Sequence, residues 1–167
     1  NNKWKADKII INKYYPIKEW DEWCNENCLL AIKNNVQTLQ WIPKEFKTKE
    51  LCELAIKDYG YAIAFVPEEF KTKELCELAV KNGIALEYVP EEFKTKELCE
   101  IAIKDYGYAL KYIPEDLKTK ELCEIAVKND GNALQFIPEE LKTNELYELA
   151  IKQNGYAINF VPKEFYE

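Results

Sequence analysis

The sequence contains no His, Ser, Arg or Met, so all 23 of its basic residues are Lys. Without Ser and His, the chain cannot form a Ser-His-Asp triad, a Cys-His pair or a histidine-ligated metal site. Without Arg, it lacks the planar guanidinium group that binds phosphate or guanine through two parallel hydrogen bonds. We therefore expect a protein that is not an enzyme and that binds no cofactor and no metal ion.

Long apolar runs and an excess of positive charge are also missing. No apolar run approaches the ~20 residues that a membrane-spanning helix needs, so we expect a soluble protein that makes no membrane contact. The net charge of −7 and the pI near 4.9 disfavour nucleic acid as a partner, because phosphates bind basic surfaces. An acidic surface instead favours a basic protein or peptide.

The chain begins at Asn1 and has no Met, which indicates a processed or truncated piece of a longer protein. Its first residues do not resemble a signal peptide, although a signal removed earlier would leave no trace. Six cysteines with no evident pairing are typical of a reducing compartment. We therefore expect the cytoplasm, or a host cytoplasm after delivery.

The sequence does contain a repeat of about 24 residues. Five copies begin with the pattern L-C/Y-E-L/I-A-I/V-K, at Leu51, Leu75, Leu98, Leu122 and Leu146. A fixed period of this length predicts stacked repeats, because a single copy cannot bury its apolar face alone. The predicted organisation is an N-terminal cap at 1–26 and repeat units near 27–50, 51–74, 75–97, 98–121, 122–145 and 146–167.

Each repeat carries signals for two helices and a turn. Thr48 is a good N-cap for a helix of about three turns, and Gly60 suits the left-handed position that ends such a helix. Later repeats have a glycine in the same place: Gly83, Gly107, Gly131 and Gly155. A short second helix follows until Pro67, which forces the residue before it out of the helical region. The predicted fold is all-α, an α-solenoid of about six 24-residue repeats, each with a three-turn helix, a short helix and a Pro-containing turn.

The stretch from Phe70 to Tyr88 reads FKTKELCELAVKNGIALEY. It resembles a bacterial and viral family of short helical repeats of unknown function, whose pattern is approximately L-K-x-D-x-E-x-x-x-x-A-V-x-x-N-G-x-A-L-x-Y. The resemblance covers nearly all of the chain from Cys28 onward. It implies a helical repeat array of the kind that often accompanies effector-like proteins, and it implies no catalytic residue.

Five cysteines hold one equivalent position in successive repeats: Cys28, Cys52, Cys76, Cys99 and Cys123. Neighbouring helices pack 8 to 10 Å apart, too far for disulfides between such positions, and a row of single thiols does not converge on one metal ion. We therefore interpret them as small buried residues in the seams between repeats. Cys24 and Cys28 form a bare C-x-x-x-C, which we also interpret as packing.

A partner's surface is not periodic, so recognition is expected at exposed positions that differ between copies. The positions around the short helix meet this condition and contain several tyrosines, which offer a large contact area and a hydroxyl group. The candidate partner-binding ridge comprises Asp58, Tyr59, Tyr61, Glu87, Asp105, Tyr106, Tyr108, Lys111 and Tyr156. In the alternative interpretation, which the sequence leaves equally open, these rings pack on one another and stiffen the stack.

Three functions follow from these observations. The first is a non-catalytic scaffold that binds a protein or peptide, as part of a larger effector-like protein. The second is an acidic inhibitor or immunity-type protein that occludes a basic toxin or nuclease. The third, an enzyme, is disfavoured because thin stacks of repeats rarely form deep pockets. The uncapped C-terminal end is a candidate surface for homo-oligomer formation.

Overall fold

The computed structural model describes residues 24–82 and 85–166, and these residues form helices without any strand. Six α-helices follow one another along the chain: α1 (Asn25–Asn34), α2 (Lys49–Asp58), α3 (Lys73–Lys81), α4 (Lys96–Asp105), α5 (Lys120–Asn129) and α6 (Asn144–Gln153). The predicted all-α repeat architecture is confirmed. The predicted cap at 1–26 lies almost wholly outside the described residues. No helix in the described ranges has the length and apolar character needed to cross a bilayer.

The α-helices are joined by 3-10 helices. The first connection spans six residues in five repeats, at Val36–Trp41, Gly60–Phe65, Gly107–Tyr112, Gly131–Phe136 and Gly155–Phe160, and three residues at Leu86–Tyr88. A three-residue 3-10 turn follows each proline of the described ranges, at Lys44–Phe46, Glu68–Phe70, Glu91–Phe93, Glu115–Leu117, Glu139–Leu141 and Lys163–Phe165. The predicted short helix is therefore a 3-10 helix, because the following proline holds the preceding residue extended and leaves no room for longer α-helical turns.

The α-helices begin where the threonines predict. The Thr48 hydroxyl accepts a hydrogen bond from the Leu51 N–H at 3.3 Å, and Thr72, Thr95, Thr119 and Thr143 make the same bond in α3 to α6. Hydrogen bonds from the Glu50 backbone N–H and then from Thr48 lower the pKa of the Glu50 carboxyl. This first turn therefore favours a carboxylate, as expected at the positive end of a helix dipole.

The chain divides into two compact units, residues 1–85 and 86–167. In unit 1, α1 packs on α2 and α2 on α3, while the Gly60–Phe65 3-10 helix lies against α3. The core of unit 1 includes four side chains that are almost fully buried: Ile32, Leu39, Ile56 and Ile63. One repeat thus covers the apolar face of the repeat before it, as the period predicts.

Unit 2 repeats this arrangement. Here α4 packs on α5 and α5 on α6, while the Gly107–Tyr112 3-10 helix lies against α5 and the Gly131–Phe136 3-10 helix lies against α6. Its core includes Ile103, Leu110, Leu122, Leu134 and Leu146. The fully buried residues of the two units also include five cysteines: Cys28, Cys52, Cys76, Cys99 and Cys123.

The prediction of left-handed glycines at the helix ends is wrong for Gly107 and Gly131, since neither has a positive φ. The residue before each glycine ends the helix by adopting an extended conformation. Glycine is required for another reason. A Cβ on Gly107 would lie 2.3 Å from the carbonyl oxygen of Ala126, and one on Gly131 would lie 2.4 Å from that of Ala150. The recurring glycine therefore admits the backbone of the next repeat.

A row of buried lysines links the proline turns to the core. Each lysine pairs with the glutamate three residues before it: Lys71 with Glu68, Lys94 with Glu91, Lys118 with Glu115 and Lys142 with Glu139. The Lys118 ammonium also donates to the carbonyl oxygen of Phe136 in the next repeat, at 3.0 Å. These lysines therefore bury their stems while the glutamates stay in solvent.

Thr38 departs from the repeat and leaves a buried hydroxyl without a hydrogen-bond partner. The other repeats hold alanine at this register: Ala62, Ala85, Ala109, Ala133 and Ala157. Replacing Thr38 with alanine is expected to raise the free energy of unfolding by about 1 kcal/mol, because an unpaired buried hydroxyl is removed. Urea unfolding followed by circular dichroism measures the change. Thr38→Val, which keeps the shape, is the control. Loss of stability in both variants would contradict the prediction.

Candidate functional site

Two tetrapeptides of the same sequence, Asp-Tyr-Gly-Tyr, stand at helix ends in the two units. We call them the unit 1 corner (Asp58, Tyr59, Gly60 and Tyr61) and the unit 2 corner (Asp105, Tyr106, Gly107 and Tyr108). In each corner the α-helix ends at the aspartate, the first tyrosine is extended, and the 3-10 helix begins at the glycine. This sharp change of direction places an acid and two aromatic rings close together on a short stretch of chain.

The unit 1 corner is partly a packed cluster and partly an exposed surface. Asp58 is exposed and Tyr59 is 39% exposed, whereas Tyr61 is half-buried. The ring of Tyr61 lies 5.8 Å from that of Tyr59 and 6.1 Å from that of Phe65, centroid to centroid. Tyr61 therefore anchors Tyr59 on the 3-10 helix.

The unit 2 corner differs in that both tyrosines are exposed, Tyr106 by 40% and Tyr108 by 43%. Tyr108 packs edge-on against Phe136 of the next repeat, with ring centroids 5.0 Å apart and planes at 88°. The tyrosine rings contact aromatic neighbours, and they also expose part of their surface.

Two residues of the predicted ridge, Lys111 and Glu87, come from different repeats and both lie near the ring of Tyr112 in unit 2. The Lys111 ammonium lies 5.7 Å from the centroid of Tyr108 and 5.2 Å from that of Tyr112. Electrostatic interaction with the Tyr108 hydroxyl group, and then with that of Tyr112, raises the pKa of Lys111. Burial raises the pKa of Tyr112, and the nearby Glu87 carboxylate raises it further. Sequence reasoning missed Tyr112 as the centre of this cluster. The available signal was that Glu87 and Lys111, with opposite charges, hold the same position in successive repeats.

Tyr156 belongs to neither corner. It is 78% exposed, and its backbone N–H donates to the Asn154 side chain at 3.0 Å. Asn154 and Gln153 stand where the corners have tyrosine and aspartate. The structure therefore places the last member of the predicted ridge in a different chemical setting.

The aspartate of each corner stands at a register that other repeats use for a structural hydrogen bond. The Asn129 side chain donates to the carbonyl oxygens of Ile103 and Lys104 at 2.8 and 2.9 Å, and thereby caps the preceding helix. The Asn82 side chain does the same for the end of α2, at 3.3 and 3.4 Å. A carboxylate has no proton to donate, and it lies unfavourably at the negative end of a helix dipole. Asp58 and Asp105 are thus poor structural choices at this register.

The cysteine row is buried, as predicted. Cys28, Cys52, Cys76, Cys99 and Cys123 are all 0% exposed, and all six cysteines are free thiols. Burial raises the pKa of Cys28, Cys52, Cys99 and Cys123 to about 11, so these thiols stay protonated. Within residues 24–82 and 85–166, no three Cys, Asp or Glu side chains gather as a metal site would require.

Comparison with known protein families gives four overlapping matches to one family, described as a domain of unknown function (DUF4116). The matches span residues 24–71, 48–94, 72–118 and 119–166, so most of them cover two successive repeats. Comparisons with curated proteins and with solved structures found no match. Since the four matches together extend from residue 24 to residue 166, the chain belongs to the DUF4116 family of repeats, whose function is unknown.

Proposed function

We propose that the protein is a non-catalytic scaffold that binds another protein or peptide through its two Asp-Tyr-Gly-Tyr corners. The observation that carries this proposal is the aspartate at the helix end. At a register where Asn82, Asn129 and Gln153 hold the stack together, Asp58 and Asp105 contribute no such bond. Each is joined instead to a partly exposed tyrosine, which is the residue type most often found at binding hot spots. A residue that serves its own fold poorly is expected to serve a partner.

The chemistry of the corners favours a basic partner. The chain carries a net charge of −7, and each corner adds a carboxylate beside an aromatic ring. In unit 2, Lys111 already lies over tyrosine rings, which demonstrates the type of contact that a lysine or arginine would make. In unit 1 the same register holds Ala64, so a partner's cation can take the place that Lys111 takes in unit 2.

The experiment compares partner capture by the wild-type chain and by two double variants, Asp58→Asn/Tyr59→Ala and Asp105→Asn/Tyr106→Ala. Proteins retained by the wild type are identified, and their affinity is then measured by titration calorimetry. We expect a loss of at least about 30-fold in affinity, because hot-spot truncations cost 2 kcal/mol or more. Tyr166→Ala, which removes an exposed ring outside the corners, is the control. Equal affinity in the double variants and the control would refute the proposal.

The single change Asp58→Asn separates recognition from folding. The new amide can donate to the end of α1 as Asn82 donates to the end of α2, so we expect unfolding to require about 1 kcal/mol more. The same change removes the charge that a basic partner needs, so partner binding is expected to weaken. A variant that is both less stable and fully active in binding would contradict the proposed role of Asp58.

The acidity of the corners also suits a second function, the occlusion of a basic toxin or nuclease. Both functions predict that added salt weakens the complex, because exposed charges are screened. They differ in the partner's activity. A scaffold leaves that activity intact, whereas an inhibitor abolishes it at one-to-one stoichiometry. We further propose that the chain acts within a larger effector-like protein.

A further inference from the structure

One lysine of the proline turns lacks the partner that its counterparts have. Four lysines at this register pair with the glutamate three residues earlier: Lys71, Lys94, Lys118 and Lys142. Lys47 holds the same register in the first repeat, but the residue three positions before it is Lys44. Lys47 accordingly forms no ion pair in the part of the chain that the structure describes, and its ammonium donates to the carbonyl oxygen of Phe65 at 2.8 Å.

Two carboxylates close to Lys47 in sequence or across the repeat are engaged elsewhere. Lys44 is exposed, and its ammonium bridges Glu69 of the next repeat at 3.0 Å. The Glu50 carboxyl is held at the start of α2 by its own backbone N–H and by Thr48. Lys47 is thus a half-buried side chain whose nitrogen contacts a neutral acceptor.

Burial without a counter-charge disfavours the ammonium form of Lys47. A half-buried cation loses part of its hydration, and a neutral carbonyl oxygen returns less of that free energy than a carboxylate does. Burial accordingly lowers the pKa of Lys47, and the smaller influence of the Cys52 thiol acts in the opposite direction. The neutral amine, which carries the nucleophilic lone pair, is therefore more populated at Lys47 than at an ordinary lysine.

Loss of the positive charge also costs less at Lys47 than at its counterparts. At Lys118, a neutral nitrogen would leave the Glu115 carboxylate, 2.6 Å away, without its cation. At Lys47 no paired carboxylate is left behind. An amide nitrogen at this position keeps one N–H, which can still donate to the Phe65 carbonyl oxygen. The site is therefore suited to a lysine nitrogen that becomes an amide.

We propose that Lys47 is an acyl-acceptor site whose substrate is an uncharged acyl thioester. The lone pair of its Nζ atom attacks the thioester carbonyl carbon, a C–N bond forms and the C–S bond breaks. The sulfur leaves with the proton that the nitrogen loses, so the products are an amide and a thiol. An uncharged donor fits this chain, because its net charge of −7 repels anionic acyl donors.

The test is acetylation of the full chain by N,S-diacetylcysteamine, an uncharged acetyl thioester, with the initial rate at each lysine measured by peptide mass spectrometry. We expect Lys47 to react at least about 3-fold faster than Lys71 and Lys142, which are half-buried at the same register. A threefold ratio corresponds to about 0.65 kcal/mol. That value lies within the range for an ion pair with an exposed carboxylate.

A variant that supplies the missing carboxylate tests the cause. Lys44→Glu gives the first repeat the Pro-Glu-Glu-Phe turn found at 67–70 and 90–93. The rate at Lys47 is expected to fall by at least about 3-fold, while the rate at Lys142 stays unchanged. Lys44→Arg keeps a cation opposite Glu69 and serves as the control, with an unchanged rate at Lys47. Thermal unfolding verifies that both variants are folded.

Three results would each overturn the proposal. The first is a wild type in which Lys47 reacts no faster than Lys71 and Lys142. The second is a Lys44→Glu variant in which Lys47 keeps its wild-type rate. The third is an equal fall in both variants, which would make the Lys44 side chain itself the cause. The proposed function is tested separately, because Lys47 lies outside both corners.

Discussion

Gly131→Ala is expected to lower the free energy of unfolding by about 2–4 kcal/mol, as overpacking against an immobile neighbour does. The added methyl group would lie 2.4 Å from the carbonyl oxygen of Ala150, a backbone atom that cannot rotate away. Relief requires α6 to move off the Gly131–Phe136 3-10 helix, which exposes core residues such as Leu134. Urea unfolding followed by circular dichroism measures the loss, and hydrogen exchange locates it in α6.

The same substitution at Gly155 is the matched control. No described atom lies near the new methyl group there, and the backbone does not require glycine. Alanine is therefore expected to leave stability unchanged or to raise it by about 0.5 kcal/mol through the unfolded state. Equal losses at Gly131 and Gly155 would show that helix-end conformation, and not the approach of the next repeat, makes glycine necessary.

Lys118→Met is expected to lower the free energy of unfolding of unit 2 by about 1.5–3 kcal/mol, the range for buried hydrogen bonds made by a charged group. The lysine side chain is 5% exposed, and its ammonium bonds Glu115 at 2.6 Å and the Phe136 carbonyl oxygen at 3.0 Å. Methionine keeps the length and apolar stem but leaves that carbonyl without this donor. Chemical denaturation of the variant gives the difference.

Two further variants serve as controls for this prediction. Lys120→Met changes an exposed lysine two residues away and is expected to have almost no effect. Glu115→Gln keeps a hydrogen-bond acceptor on a side chain that is 75% exposed, so a loss below about 1 kcal/mol is expected. If Lys118→Met and Lys120→Met were equally stable, the buried lysines would be irrelevant to the stacking of repeats.

The local structure of each repeat was predictable because its signals are local. Thr48 caps a helix through an atom three residues away, and Pro67 constrains the residue before it, so neither depends on the rest of the chain. The burial of the cysteine row also followed from one helical face. The type of the second helix was less certain, since the same apolar spacing suits an α-helix and a 3-10 helix.

The candidate site was predictable in part. The sequence placed tyrosines and aspartates beside the short helix, but it could not decide whether the rings were packed or exposed. Tyr61 is half-buried and Tyr59 is not, although both belong to one tetrapeptide. The meeting of Glu87 with Lys111 at Tyr112 depends on how two repeats stack, which no local pattern encodes.

By itself, the sequence determined the repeat length, the helix starts and the apolar face of each copy, because these depend on contacts within a few residues. Only the tertiary structure decided why glycine recurs and what role is played by the position that holds aspartate in some repeats and asparagine in others. A glycine that ends a helix and a glycine that admits a neighbouring backbone look alike in sequence, and so do an asparagine that caps the preceding helix and one that faces water. The distinction lies in contacts between one repeat and the next, such as the 2.8 Å hydrogen bond from Asn129 to the carbonyl oxygen of Ile103, and these form only when the copies pack.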